Sequence, residues 1–192
     1  MSQLTEEQLN KLHLSIVNGL IGPAQSPKKR PDISFKEGDH YVVVNDQAET
    51  AKIYNFAGKL LHKIPALARG QFSDGEFRRT NSDTIPGLYL AGQLYDDRKA
   101  PANRDTIPTL AAYGWLTFDL ISCDNQEAFF YRAGLCAHGG GSLNGWPGAW
   151  AAKQRLYPTH GCIRFYNEDL EKILLPLYRK GKLYFGVFQE AA

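Results

Sequence analysis

The chain has 192 residues, 43% of them apolar and 22% charged, so it is long enough to bury one sizeable core and too ordinary in composition to be disordered or fibrous. Its 22 Lys and Arg against 20 Asp and Glu leave a net charge of +2, without the basic surface that a phosphate backbone demands, so no nucleic-acid partner is expected. No apolar run approaches the ~20 residues of a membrane-crossing helix, whereas 18 Gly, 10 Pro, 10 Tyr and 10 Phe point to many turns and aromatic strands.

In chain order, residues 4–20 predict an amphipathic helix. Thr5 and Gln8 form a capping box, Leu9, Leu12, Ile16 and Leu20 recur at helical spacing, and Gly22-Pro23 stops the run. A polar linker follows to residue 32, and its Lys28-Lys29-Arg30 reads as solvated. This first stretch lacks a basic segment followed by a continuous apolar core, so no signal peptide is visible. From His40 the pattern changes to short strands and turns. Strands are expected at 40–45, 52–56, 60–67 and 87–94, with polar loops at 70–84 and 101–108. A hairpin is expected next, its strands at 117–122 and 129–137 flanking a turn at 123–126. A segment rich in Gly, Trp and Pro covers 139–158. Residues 167–179 predict a helix with Leu170, Ile173, Leu174 and Leu177 on one face and Pro176 as its kink or end. A last strand is expected at 183–189. The fold class is mainly β, a β-sandwich or barrel with one helix near the end and an N-terminal helical extension.

The chemistry concentrates at Thr159-His160-Gly161-Cys162-Ile163-Arg164. The three cysteines, Cys123, Cys136 and Cys162, make no disulfide framework. A thiol needs a base or an electropositive setting to become a nucleophile at neutral pH. Cys162 directly follows a His and a Gly and precedes an Arg by two. Gly161 permits a tight backbone path that aims consecutive N–H groups at a carbonyl oxygen. His138 lies upstream in Cys136-Ala137-His138-Gly139, at the end of an expected strand. His138 and Cys162 are the pair best suited to acyl transfer. Two other readings stand beside it: a buried structural thiol, and a zinc site of His138, His160 and Cys162.

The same residues resemble the catalytic domain of the YkuD-type L,D-transpeptidases. That family carries a His, a variable gap, then Ser/Thr-His-Gly-Cys, a hydrophobic residue, Arg, two residues and Asn. Here Thr159, His160, Gly161, Cys162, Ile163, Arg164 and Asn167 stand in those places, with His138-Gly139 upstream. Tyr41 to Asn45 and Lys52 to Phe56 are similar to the family's opening strands, and Thr84-Ile85-Pro86-Gly87-Leu88-Tyr89 to a further stretch with one residue inserted. The resemblance divides the chain into an extension and linker, 1–37, and a catalytic domain, 38–192. The gap between His138 and Thr159 is longer than the family's usual one and contains Trp146 and Trp150, which read as a lid or substrate wall or as a packed loop.

What the resemblance implies is a cysteine-dependent L,D-transpeptidase acting on peptidoglycan tetrapeptide stems through a thioester, with 3–3 cross-linking or D-amino acid exchange as outcome. L,D-carboxypeptidase trimming is the alternative, as is delivery as an antibacterial effector. It implies Cys162 as nucleophile and His138 as base, oriented by the Gly139 carbonyl. His160, Gly161 and Cys162 would supply an oxyanion pocket. Arg164 would lower the thiol pKa, bind a carboxylate, or fasten the loop to the helix. Thr159 would tighten the turn and Asn167 would cap the helix. Thr159, Asn167, Trp146 and Trp150 also rank as weaker substrate contacts. The partners implied are stem peptides and carbapenem-type inhibitors, without metal or cofactor. The place implied is the periplasm or cell wall, against which stand a cytoplasmic role or a signal-independent export route. A non-catalytic peptidoglycan-binding module is the reading of a different class. Cys136 lies two residues before His138 on the same strand face, so it is either a core thiol or a partner that closes a disulfide on Cys162.

Overall fold

The computed structural model describes residues 36–72, 76–99, 107–123, 126–141 and 148–188. The helix expected at 4–20 and the linker after it lie outside these residues, as does Trp146. Eight strands form a closed barrel: β1 (His40–Asn45), β2 (Thr50–Asn55), β3 (Leu60–Leu67), β4 (Gly87–Asp96), β5 (Leu116–Ser122), β6 (Cys136–His138), β7 (Ile163–Phe165) and β8 (Leu183–Phe188). Around the barrel they run β1-β2-β3-β7-β6-β5-β4-β8, and β8 closes on β1. Two ladders are parallel, β1 with β8 and β6 with β7; the others are antiparallel.

Closure follows from the side-chain alternation. Val42 and Val44 of β1, Phe118 of β5, Ala137 of β6, Ile163 and Phe165 of β7 and Phe185 and Val187 of β8 are all fully buried. They project inwards, one residue in two, as a pleated strand requires. Phe165 and Phe185 meet edge to face at 6.2 Å between ring centroids. Full closure also removes the unpaired edges that an open sheet of this length would present.

Helices cover the barrel. The helix expected after the Cys162 loop is present as α3, in three consecutive pieces, Asn167–Asp169, Leu170–Leu174 and Leu175–Tyr178. Leu170, Leu174 and Leu177 are buried in the core cluster and Ile173 packs against it, which is the face read from the sequence. Pro176 neither ends nor breaks the helix. The middle piece is a π turn, in which the Leu175 N–H reaches back to the Leu170 carbonyl. That wider turn precedes the proline, which has no N–H to bond and a ring to accommodate.

Two expectations are corrected. The loop expected at 101–108 gives way at its end to α1 (Ile107–Tyr113). Its signals are a proline at the second position and Gly114 just past the end, in the left-handed conformation at φ +79°. The expected hairpin strand at 129–137 is mostly helix and loop. A short α2 (Gln126–Phe130) is followed by Tyr131 at φ 56°, and only Cys136–His138 joins the sheet. Apolar residues clustered at Phe129, Phe130 and Tyr131 do not separate a strand from one turn of helix by periodicity.

Phe165→Ala removes a fully buried ring from the barrel centre. It is expected to lower unfolding free energy by about 3–5 kcal/mol in urea titration. A loss under about 1 kcal/mol would mean that the core at β7 is not closed as described.

Candidate active site

The site is built on the outer face of three strands. Ala137 and Ile163 point into the barrel, so their neighbours point out. The registers align these neighbours in two rows. Thr117 of β5 stands opposite His138 of β6, which stands opposite Arg164 of β7. One step back, Asp119 stands opposite Cys136, and Cys136 is level with Cys162, since Ala137 pairs with Ile163. The sequence places His138 and Cys162 24 positions apart; the parallel β6–β7 ladder brings them onto one face.

The hydrogen bonds fix which nitrogen of His138 serves the thiol. Its Nδ1 lies 2.9 Å from the Gly139 carbonyl oxygen. A carbonyl only accepts, so Nδ1 carries the proton and Nε2 is left to face the sulfur. As a thiolate, Cys162 accepts hydrogen bonds from the Cys136 side chain, from the protonated His138 and from the Cys136 backbone N–H. These bonds and the imidazole charge outweigh burial and hold Cys162 well below the usual thiol range. Cys136 moves the opposite way, raised by its bond to Cys162, by burial and by Asp119. Of the two sulfurs, Cys162 is therefore the one that ionises. The ring of Tyr113, at the end of α1, meets the His138 ring edge-on at 4.9 Å.

The loop ahead of β7 is held from both sides. Thr159 Oγ1 donates to the Cys162 carbonyl at 2.7 Å and accepts the Gly161 N–H at 3.0 Å, so Thr159 tightens the turn. The Gly161 N–H is thereby committed to the loop and is not available to an oxyanion. Gly161 sits at φ +117° with the Arg132 guanidinium where a Cβ would stand. Arg132 bonds the carbonyls of Phe77, Asp83 and His160. His160 itself is exposed at the cavity mouth.

Arg164 is buried, and its Nη1 bonds the carbonyls of Ala112, Gly139 and Gly141. Burial pulls its pKa down to about 10. It ties α1 to the loop after His138, and the ion pair to the following helix gives way to these backbone contacts. Asn167 is a hub rather than a cap. Tyr166 precedes α3 without a side-chain cap. The Asn167 Oδ1 accepts the N–H groups of Trp115 and Gly140, and its Nδ2 donates to the carbonyls of Ala149 and Ala151. The side chain points inwards, where it satisfies these four backbone groups. Gly139 is glycine for the same reason, since a Cβ there would meet the Asn167 amide.

An open cavity of about 390 Å³ lies over the thiol, lined by Gln71, Ala112, Tyr113, His138, Gly141, Pro158, Thr159, His160, Cys162 and Arg164. Trp150 is half exposed and outside this lining; its carbonyl accepts the Trp115 indole N–H at 3.0 Å. Asp97, which the sequence reading passed over, is half-buried behind His138 and accepts the Thr117 hydroxyl at 2.7 Å. Burial raises its pKa although Thr117 and His138 oppose the rise. Among the described residues, no three His, Cys, Asp or Glu side chains are close enough to hold a metal ion.

Among the solved structures that the chain matches are two of the same architecture. Bd1075 from Bdellovibrio bacteriovorus superposes with a TM-score of 0.53 at 14% identity, over 86% of this chain and 52% of that one. Pgp2 from Campylobacter jejuni, a helical cell shape determining protein, gives 0.52 at 18% identity over 98% and 57%. The fold is YkuD-like. Lower in the comparison stands the L,D-transpeptidase of Xylanimonas cellulosilytica, with a TM-score of 0.44 at 14% identity over 91% of this chain and 76% of that one. This chain spans about half the length of the first two. No protein-family model and no curated protein matches the sequence.

Two outcomes are expected. Iodoacetamide should label Cys162 through neutral pH, the rate falling only as pH drops below the depressed thiol pKa. His138→Ala should slow labelling at pH 7 at least ~10-fold by moving the thiol back up. Equal rates would show that His138 does not serve the thiol. Asn167→Ala should cost roughly 3 kcal/mol or more in thermal or urea unfolding, because it strands buried N–H and C=O groups on three loops.

Proposed function

We propose that this chain is a cysteine-dependent acyltransferase of the L,D-transpeptidase type, acting on the tetrapeptide stems of peptidoglycan. The observation that carries the reading is the Cys162 thiol, bonded by a His138 whose other nitrogen is held by the Gly139 carbonyl, beneath an open cavity. A binding module has no use for a thiol tuned in this way.

His138 Nε2 takes the Cys162 proton. The thiolate attacks the carbonyl that joins the L-centre of the third stem residue to the terminal D-Ala. The oxyanion that forms is met by the Cys162 backbone N–H, since the Gly161 N–H is engaged by Thr159. The imidazolium returns its proton to the departing D-Ala amine, and a thioester remains on Cys162. The acceptor then enters through the same open mouth. A side-chain amine of a second stem gives a 3–3 cross-link, and a D-amino acid gives exchange. Water gives L,D-carboxypeptidase trimming, which the openness of the cavity to solvent favours as the second reading. The fold shared with Pgp2, a helical cell shape determining protein, supports a wall-peptide substrate. On this reading the protein works where stems are exposed, in the periplasm or cell wall, and a carbapenem acylates Cys162.

The test is mass spectrometry of tetrapeptide muropeptides incubated with the protein and with Cys162→Ala. Loss of D-Ala, dimer formation or D-amino acid exchange is expected with the first and absent with the second. Unchanged muropeptides with folded, reduced protein would overturn the tetrapeptide-stem donor.

A further inference from the structure

The proposed acyl transfer uses one sulfur, yet the structure sets two together. Cys136 and Cys162 occupy level positions on adjacent parallel strands, one step before the Ala137–Ile163 pair. Ala137 and Ile163 are fully buried inside the barrel, so both sulfurs lie on the outer face. Adjacent strands run ~4.8 Å apart, within the 4.4–6.8 Å range between Cα atoms that a disulfide spans. The two thiols already touch, since the Cys136 side chain hydrogen-bonds the Cys162 sulfur. Neither takes part in a disulfide in the structure, and Cys123 lies just beyond the end of β5.

The surroundings suit a second chemistry. Asp119 Oδ1 lies 3.7 Å from the Cys136 sulfur and the Gly134 carbonyl lies 3.6 Å from it, so Cys136 has acceptors ready for its proton. Asp119 is itself held by the Tyr95 hydroxyl at 3.3 Å. The Cys162 side faces the cavity, where a small oxidant enters. Cys136 is buried behind it. A buried thiol behind an accessible nucleophile is the arrangement of a resolving cysteine.

We infer that Cys136 and Cys162 form a peroxide-reactive dithiol, in which Cys162 is oxidised first and Cys136 closes a reversible disulfide on it. The Cys162 thiolate attacks one oxygen of a hydroperoxide. The O–O bond breaks, Cys162 becomes a sulfenic acid, and the leaving hydroxide or alkoxide takes a proton. Cys136 then loses its proton by way of Asp119 and attacks the Cys162 sulfur. The S–O bond breaks, and the departing hydroxide takes that proton to leave as water. With hydrogen peroxide, the two thiols lose two electrons and two protons and the peroxide is reduced to two waters. A dithiol reductant reverses the disulfide. The bond blocks the proposed nucleophile and spares it from the irreversible sulfinic and sulfonic acids.

The test reads sulfur chemistry and needs no wall substrate, so it stands or falls apart from the acyl-transfer reading. The full-length chain is reduced, desalted and treated with a small excess of hydrogen peroxide. It is then denatured, alkylated and digested with trypsin. The three cysteines fall on separate tryptic peptides, with Cys136 on residues 133–153 and Cys162 on 156–164. The expected product has lost two hydrogens. It carries a cross-link between those two peptides, and reductant restores both alkylatable thiols. The proposal is overturned if Cys162 is found as sulfinic acid with Cys136 still alkylatable, if the cross-link joins Cys123, or if both thiols survive. A second arm uses Cys136→Ser, expected to send Cys162 to sulfinic acid several-fold faster than the unaltered chain. Equal rates would overturn the proposal, and the unaltered chain decides it alone if the variant does not fold.

Discussion

The parallel pairing of β6 with β7, each three residues long, is the constraint on which the rest depends. Parallel neighbours put level residues side by side and alternate ones on the same face. His138 therefore stands two residues along from Cys162, about 7 Å of strand at 3.3 Å per residue, which an imidazole reaches across. A one-residue slip of β7 would turn the thiol into the barrel, and one of β6 would turn the imidazole inwards. So short a ladder cannot fix its own register. The loops do so: Arg164 and Asn167 bond the backbone on both sides of it, and the flanking ladders with β3 and β5 complete the frame.

The buried polar residues of the site divide by what they hold. Asn167 and Arg164 satisfy backbone groups of loops that have no ladder of their own, and Gln154 those at the junction of β7 and α3. Gln154, for example, accepts the Asn167 N–H and donates to the Phe165 carbonyl. Such groups would cost a few kcal/mol each if left alone in the interior. Meeting them with side chains lets irregular backbone pass close to the barrel without water. His138 and the two cysteines, by contrast, also bond one another, and a sulfur held by thiol, imidazole and amide is poised to change charge.

Much of this was legible in the sequence, and the failures have physical causes. The strands at 40–45 and 60–67 were readable because β-branched and apolar residues cluster there next to clear turns. The helical face of α3 was readable because its leucines recur at helical spacing. The Cys162 and His138 pair that the strands bring onto one face was singled out by the types and order of the residues around it. The roles of Asn167 and Arg164 were not, because a motif gives the residue type and not the direction of the side chain. Asn167 has the type of a helix cap, yet four backbone groups from distant loops draw it inwards. Tyr113 and Asp97 were out of reach for another reason. The fold brings Tyr113 onto the His138 ring and Asp97 within its electrostatic reach from 25 and 41 positions away in the chain. The failed strand at 129–137 shows the limit of short apolar runs, which fit a strand or a single helical turn equally well.

The place of β8 has a consequence in time. Among the described residues β8 is the last strand, and it sits between β1, the first of them, and β4. The barrel's seam therefore joins residues more than 140 positions apart, as His40 with Leu183. During synthesis the first seven strands leave the ribosome with both seam edges open and Val42, Val44 and Tyr89 exposed to neighbours. The closing step waits for β8 and for a search over the long stretch between it and β1, which makes it slow. Until then each half-built barrel offers two sticky edges, so crowded synthesis of many copies favours pairing between chains over closure within one.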